Sequence, residues 1–242
     1  MRAILVSVDY ADILAITLPY NRRHFDEVMG VTTPGDNETY RIAKNNGCRV
    51  FATESFYDDG ALINKWKALE EALDQYGRYG LMCIMDADIL WPDAKQSKAV
   101  YERGVLYSPH RYILPDVSAA IPTEDQWDRL HLFNDCEFAG YTQIFHADDV
   151  HLPSPPWHQQ DWLHAGGADS AFQALWPQRR RVRPQWRVLH LGQPGQNWGG
   201  RAMPYRDGQL PQRALERRRL LGRMLAQRRP GDYRAERLPP QP

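Results

Sequence analysis

A chain of 242 residues with 30 Lys plus Arg against 30 Asp plus Glu has a formal net charge of zero, and its length suits one large domain, or a domain with an appendage, because single cores stop growing near ~250–300 residues. The charge is unevenly spread: residues 1–175 hold 14 basic and 26 acidic side chains, whereas residues 176–242 hold 16 basic ones, all arginine, and 4 acidic. Apolar runs such as Ala3–Val8 and Leu81–Met85 fall far below the roughly 20 residues of a membrane-spanning helix, and Asp9 interrupts the N-terminus before a signal-peptide core can form, so a cytoplasmic chain is expected.

The first ninety residues alternate short β-rich runs with longer helical patterns, which predicts βαβ units and a parallel sheet. Ala3–Val8 reads as the first strand, and Asp12 to about Phe25 as a helix disturbed by Pro19. Glu27–Thr32 returns as a strand before the Thr33-Pro34-Gly35-Asp36 turn, Asn37–Asn45 as a helix ended by Asn46-Gly47, and Arg49–Thr53 as the third strand. Ala61–Gln75 is predicted helical from the spacing of Leu62, Trp66, Leu69 and Leu73, and Leu81–Met85 is the fourth strand.

From Pro92 onward prolines, histidines and tryptophans accumulate; Trp127, Trp157, Trp162, Trp176, Trp186 and Trp198 would line a site for a flat or amphipathic ligand or fill a core poor in regular structure. Arg187–Leu191 reads as a late strand. Beyond Arg206, Leu215, Leu220, Leu221, Met224 and Leu225 keep a helical stripe among arginines until Pro230-Gly231. Cys48, Cys83 and Cys136 form no CxxC pair, which argues against a disulfide framework or zinc knuckle and leaves them as small buried hydrophobes.

The residues richest in chemistry are Ile84-Met85-Asp86-Ala87-Asp88-Ile89. A hydrophobic strand running into two acids spaced i, i+2 delivers both carboxylates to the carboxyl end of the sheet, where open α/β folds bind ligands. Two hard oxygen ligands there suit Mg²⁺ or Mn²⁺, which can hold nucleotide phosphates; an ordinary strand-end turn is the plainer alternative.

Together with Thr17-Leu18-Pro19-Tyr20-Asn21, Val31-Thr32-Thr33-Pro34-Gly35-Asp36, Asn64-Lys65, Gly140-Tyr141-Thr142-Gln143, Ala165-Gly166-Gly167-Ala168-Asp169-Ser170, His190-Leu191-Gly192 and Asn197-Trp198-Gly199-Gly200-Arg201, this Asp-x-Asp stretch resembles the compact, family-2-like GT-A glycosyltransferases. The resemblance implies an α/β, Rossmann-like GT-A fold with a mostly parallel central sheet, helices on both faces and a basic helical tail. It implies a transferase domain over 1–206, with a nucleotide-sugar half over 1–92 and an acceptor half over 93–206, followed by the arginine-rich segment 207–242. The activity implied is transfer of a sugar from a nucleotide diphosphate sugar, UDP-linked by expectation, to an acceptor hydroxyl.

The roles implied are specific. Thr17, Pro19, Thr32, Asp36, Asn64, Lys65, Asp86 and Ala87 would contact the donor, with Thr17–Pro19 and Thr32–Asp36 taken as loops at the ligand edge of the sheet. Asp36 would accept from a ribose hydroxyl or a base N–H, or simply cap the next helix, and Lys65 would meet the diphosphate or lie on a helix surface. Asp86, Asp88 and His190 would hold the metal, a set that suits Mn²⁺ somewhat better than Mg²⁺, although a lone histidine in an apolar strand is commonly a core group. Gly140, Gln143, Gly166, Gly167 and Trp198 would face the sugar or acceptor. Asp169 would be the general base or a helix cap, with Asp161 in reserve; the family reads Glu-Asp where this chain has Ala168-Asp169.

The arginine-rich end points to a polyanion. Arg217, Arg218, Arg219 and Arg223 would dock on a phosphate backbone, making a hydroxymethylated pyrimidine of DNA the specific acceptor expected, as in small phage-encoded transferases the chain resembles. A lipid-linked or cell-envelope glycan remains open as acceptor. So do a nucleotidyltransferase and a non-catalytic nucleic-acid-binding protein, though Val8-Asp9-Tyr10-Ala11-Asp12 lacks the glycine and basic residues of a nucleotidyltransferase loop.

Overall fold

A computed structural model describes residues 1–56, 64–93, 100–116, 120–133, 140–149 and 166–192. In chain order the elements are β1 (Arg2–Val6), α1 (Ala11–Asn21), β2 (Glu27–Thr32), α2 (Asn37–Asn45), β3 (Arg49–Ala52), α3 (Lys65–Tyr76), β4 (Leu81–Asp86), β5 (Ile89–Leu90), β6 (Leu106–Tyr107), β7 (His110–Leu114), β8 (His131–Phe133), β9 (Thr142–His146), α4 (Gly166–Gln173), β10 (Arg181–Val182) and β11 (Arg187–Leu191).

All five residues of β1 are buried. Successive side chains of a strand point to opposite faces. Ile4 and Val6 therefore join Trp66, Leu69 and Leu73 of α3 and Phe172 of α4, while Ala3 and Leu5 join Leu14 and Leu18 of α1 and Ala43 of α2. β4 divides the same way, Met82 and Ile84 against Cys83 and Met85. A strand covered on both faces must be apolar at every position, which is why these segments read as unbroken hydrophobic runs.

Seven strands form the main sheet in the order β10-β6-β9-β4-β1-β2-β3. β1 pairs in parallel with β2 and β4, and β2 with β3; β9 runs antiparallel between β4 and β6. The fold is thus the expected α/β, Rossmann-like arrangement, mostly parallel with helices on both faces. The main sheet draws β6, β9 and β10 from the half expected to serve the acceptor. A second sheet, β5-β11-β7-β8, abuts it, and Leu90, Leu114, Leu189 and Leu191 on one of its faces pack on Ile13 and Trp127.

Several expectations are corrected. The first strand ends at Val6, because the chain turns at Asp9, whose φ of 58° lies in the left-handed region that aspartate tolerates. Pro19 does not disturb its helix: α1 runs through it to Asn21, and the carbonyl that loses a donor belongs to Ala15, on the solvent side where water can serve it. The third helix begins at Lys65 rather than Ala61, since the Asn64 side chain caps it by accepting from the Lys67 N–H at 3.2 Å. Trp127, Trp176 and Trp186 are core residues, 3 to 7% exposed. Cys48 and Cys83 are buried free thiols. Trp157, Asp161, Trp162, Trp198, Cys136 and the segment 207–242, with Arg217, Arg218, Arg219 and Arg223, lie outside the described residues. No helix among the described residues is long and apolar enough to cross a membrane.

Candidate active site

Because β1 to β4 run in parallel, their carboxyl ends share one edge of the sheet. Asp9 follows β1, Asp36 follows β2, Asn64 and Lys65 open α3 after β3, and Asp86-Ala87-Asp88 closes β4.

Lys65 is the hub. Its Nζ lies 2.6 Å from Asp86 Oδ1 and donates to the Gly140 carbonyl at 3.0 Å. Burial works against its charge, but Asp86, Asp169 and Asp88 outweigh it and hold the ammonium above its ordinary range. Asp86 is less shielded, with a third of its side chain exposed. Desolvation, Asp88 and Asp169 push its carboxyl up to about 6 against the opposing pull of Lys65.

Asp169 sits in the first turn of α4, two residues after Gly167, and Gly166 and Gly167 supply the backbone that opens this helix. Its Oδ1 accepts from the Trp66 indole N–H at 2.6 Å, and Trp66 stacks on Phe172 with centroids 4.2 Å apart. The carboxylate rests against the backbone of Gly140: a Cβ there would lie 2.0 to 2.1 Å from its three atoms. Glycine at 140 is therefore a requirement of close approach. Within the helix Asp169 is not the residue that caps it.

Asp88 and His190 are both buried, with Asp88 Oδ2 3.4 Å from His190 Nε2. His190 Nδ1 is 2.9 Å from the Gly192 carbonyl, an acceptor, so Nδ1 carries the proton and Nε2 presents a lone pair to the carboxylate. Burial, and secondarily Arg111, keeps this imidazole below its ordinary pKa despite Asp88. Asp88 and His190 would each offer an electron pair to a divalent cation. Among the described residues no cluster of three or more His, Cys, Asp or Glu side chains is gathered tightly enough to hold a metal alone; Asp86 is turned onto Lys65. The donor set fits a divalent ion that keeps open positions for phosphate oxygens and water.

Most of the other residues expected to contact the donor make hydrogen bonds that hold the edge together. Thr17 is fully buried inside α1, and its hydroxyl donates to the Ala87 carbonyl at 2.6 Å, which pins the Asp-Ala-Asp turn to the helix. Pro19, placed at the ligand edge by the sequence, is exposed in the same helix about 12 Å from its start. Ala87 itself is 3% exposed. Thr32 Oγ1 donates to Asp36 Oδ2 at 3.0 Å, the Asp9 N–H donates to the same oxygen at 2.7 Å, and the Thr39 N–H donates to Asp36 Oδ1 at 3.1 Å. Asp36 is therefore the cap of α2 and the tie between two loops. Asn64 is occupied as a cap. Gln143 is fully buried on β9, and neither atom of its amide has a hydrogen-bond partner among the described residues.

Trp66 and Tyr141 stand in the sequence only as a helix-spacing residue and a member of a motif block, and Arg111 carries no assigned role there. Only Arg111 carried a signal, as a charged residue inside the apolar strand Arg111-Tyr112-Ile113-Leu114.

No protein-family model matches the sequence, and no curated protein does. Solved structures similar to part of the chain include mannosyl-3-phosphoglycerate synthase from Rubrobacter xylanophilus, with 21% identity over 46% of this chain and 39% of that one, at a TM-score of 0.36. Glucosyl-3-phosphoglycerate synthase from Mycobacterium tuberculosis, in complex with Mn²⁺, UDP and glucosyl-3-phosphoglycerate, gives 15% identity over 47% and 43%, at 0.33. Mannose-6-phosphate isomerase from Helicobacter pylori gives 14% identity over 61% and 71%, at 0.34. The chain spans less than half the length of the two synthases. Its fold assignment stands on its own strand order and register.

Proposed function

We propose that this chain is a metal-dependent glycosyltransferase that moves a sugar from a nucleotide diphosphate sugar to an acceptor hydroxyl. The observation that carries the reading is the facing pair Asp88 Oδ2 and His190 Nε2, 3.4 Å apart beside Asp86 and Lys65 at the carboxyl edge of the sheet. Asp88 and His190, with Asp86, would hold Mn²⁺ or Mg²⁺. Bound there, the cation supplies charge neutralisation to the departing diphosphate.

The chain's own residues do the rest. Lys65 keeps three carboxylates in one cleft and holds the Gly140 carbonyl, which fixes the wall against which Asp169 rests. Asp169, oriented by Trp66, takes the proton from the acceptor hydroxyl as that oxygen bonds to the anomeric carbon and the bond from this carbon to the diphosphate oxygen breaks. Thr17 and Asp36 position the turns that carry these groups.

Incubation with a panel of nucleotide sugars and Mn²⁺, UDP-linked ones first, tests the reading. Slow release of the nucleoside diphosphate, lost on chelation and in Asp88→Asn, is expected; failure to bind any nucleotide sugar overturns it.

For the acceptor, the 16 arginines against 4 acids in residues 176–242 support a polyanion, and a hydroxymethylated pyrimidine of DNA is the specific form of that reading. Nucleoside mass spectrometry after incubating such DNA with mixed nucleotide sugars should reveal a hexosyl or pentosyl adduct; unmodified nucleosides contradict it.

A further inference from the structure

Three Lys or Arg side chains among the described residues are more than nine-tenths buried: Arg2, Lys65 and Arg111. Two have evident reasons. Arg2 donates to the carbonyls of Tyr76, Gly77 and Tyr79, and Lys65 pairs with Asp86 and the Gly140 carbonyl. Arg111, 8% exposed on β7, has no carboxylate and no carbonyl among the described residues, and its Nε is shut from solvent without a hydrogen-bond partner. Its guanidinium carbon lies over the Phe133 ring at 4.7 Å and over the Tyr141 ring at 4.3 Å. Stacking recovers less than the cost of desolvating an uncompensated charge. Stacking engages the face of a guanidinium and not its N–H donors, the part that matches carboxylate or phosphate oxygens.

Position identifies which ligand. The pairs Val188↔Arg111 and His190↔Ile113 put Arg111 and His190 on one face of the second sheet, two residues out of step on neighbouring strands. Across that sheet the order is β5, which follows Asp88, then β11 with His190, then β7 with Arg111, so Arg111 lies beyond His190 from the carboxylate pair. The ring that covers it, Tyr141, adjoins Gly140, against which the candidate base Asp169 rests. Through Tyr141 and Gly140 the Arg111 position is linked to the candidate base.

We infer that Arg111 forms a second anion site, which binds a compact phosphate or carboxylate group carried by the acceptor. This rests on the transferase reading. The donor diphosphate is the competing source of the same chemistry, and a ligand titration separates the two. Inorganic phosphate is titrated calorimetrically into the full chain, alone and saturated with UDP and Mg²⁺, for the wild type, Arg111→Lys and Arg111→Gln, with circular dichroism confirming that the variants fold. Phosphate is expected to bind the wild type in both states with similar affinity, about tenfold or more weakly in Arg111→Gln, and with an intermediate loss in Arg111→Lys. Displacement of phosphate by UDP in the wild type, an observation that needs no variant, would assign the site to the donor and overturn the inference. Equal phosphate binding with and without Arg111, or none at all, would overturn it too. Arg111-dependent phosphate binding in a protein that binds neither UDP nor any other nucleoside diphosphate would instead overturn the transferase reading and leave the anion site standing.

Discussion

Trp66 and Asp169 lie 103 residues apart in sequence and are joined by one hydrogen bond, indole N–H to carboxylate, of 2.6 Å. The indole is fully buried and stacked on Phe172, so the donor cannot follow the carboxylate if it moves. Trp66→Phe keeps the stacking and deletes the donor. With the carboxylate no longer held in place, the transfer rate should fall about tenfold or more while UDP binding is kept, with about 1–2 kcal/mol of stability lost in urea unfolding. An unchanged transfer rate would separate Trp66 from the chemistry.

Gly140→Ala should be far more damaging than its size suggests. The added methyl would fall about 2 Å from the Asp169 carboxylate, so either the carboxylate leaves Trp66 or the 140–141 backbone shifts, at a cost of about 1–3 kcal/mol. Transfer to acceptor should fall steeply while metal-dependent UDP binding stays near the wild-type value. A crystal structure of the variant with Asp169 unmoved would contradict this.

Much of the architecture was legible because its signal is local. Glu27–Thr32, Asn37–Asn45 and Arg187–Leu191 match the observed elements to the residue, since unbroken apolar runs and turn residues mark their ends. The second sheet was not legible: two- to five-residue strands pair across nearly a hundred positions, as β5 with β11, and no window of sequence holds that information. In the site, residue types were readable but employment was not. Asp36, Asn64 and Thr17 are of types equally suited to a ligand and to a cap or brace, and only tertiary geometry shows that their polar atoms are already engaged. Lys65 illustrates the converse, because the helix start at Asn64 turns it inward to the carboxylates and away from the surface.

Thr17→Val tests the brace on the metal turn. Valine fills the same space but leaves the buried Ala87 carbonyl without its 2.6 Å donor, a loss of about 1–3 kcal/mol. If the hydroxyl positions Asp88, Mn²⁺ affinity falls along with stability; a stability loss with unchanged metal affinity would confine Thr17 to the core.

The raised Asp86 carboxyl sets a pH dependence in the metal-free protein. Desolvation and its acidic neighbours hold its pKa up to about 6 in the folded chain, whereas the unfolded chain releases that proton near about 4. Between those values the folded state holds the extra proton, so this group's contribution to stability declines as pH rises through the window and stays lost above it. Asp86→Asn removes the titration, so its melting temperature should gain on the wild type as pH rises from about 4 to about 6. Parallel melting profiles across that range would contradict the assigned environment of Asp86.

Mn²⁺ titration followed by electron paramagnetic resonance, with and without UDP, tests the central claim most directly. The wild type should bind Mn²⁺ weakly alone and much more tightly with UDP, and both Asp88→Asn and His190→Ala should lose that UDP-dependent binding. Mn²⁺ binding that is indifferent to UDP, or equal in the wild type and both variants, would contradict a nucleotide-sugar metal site at Asp88 and His190.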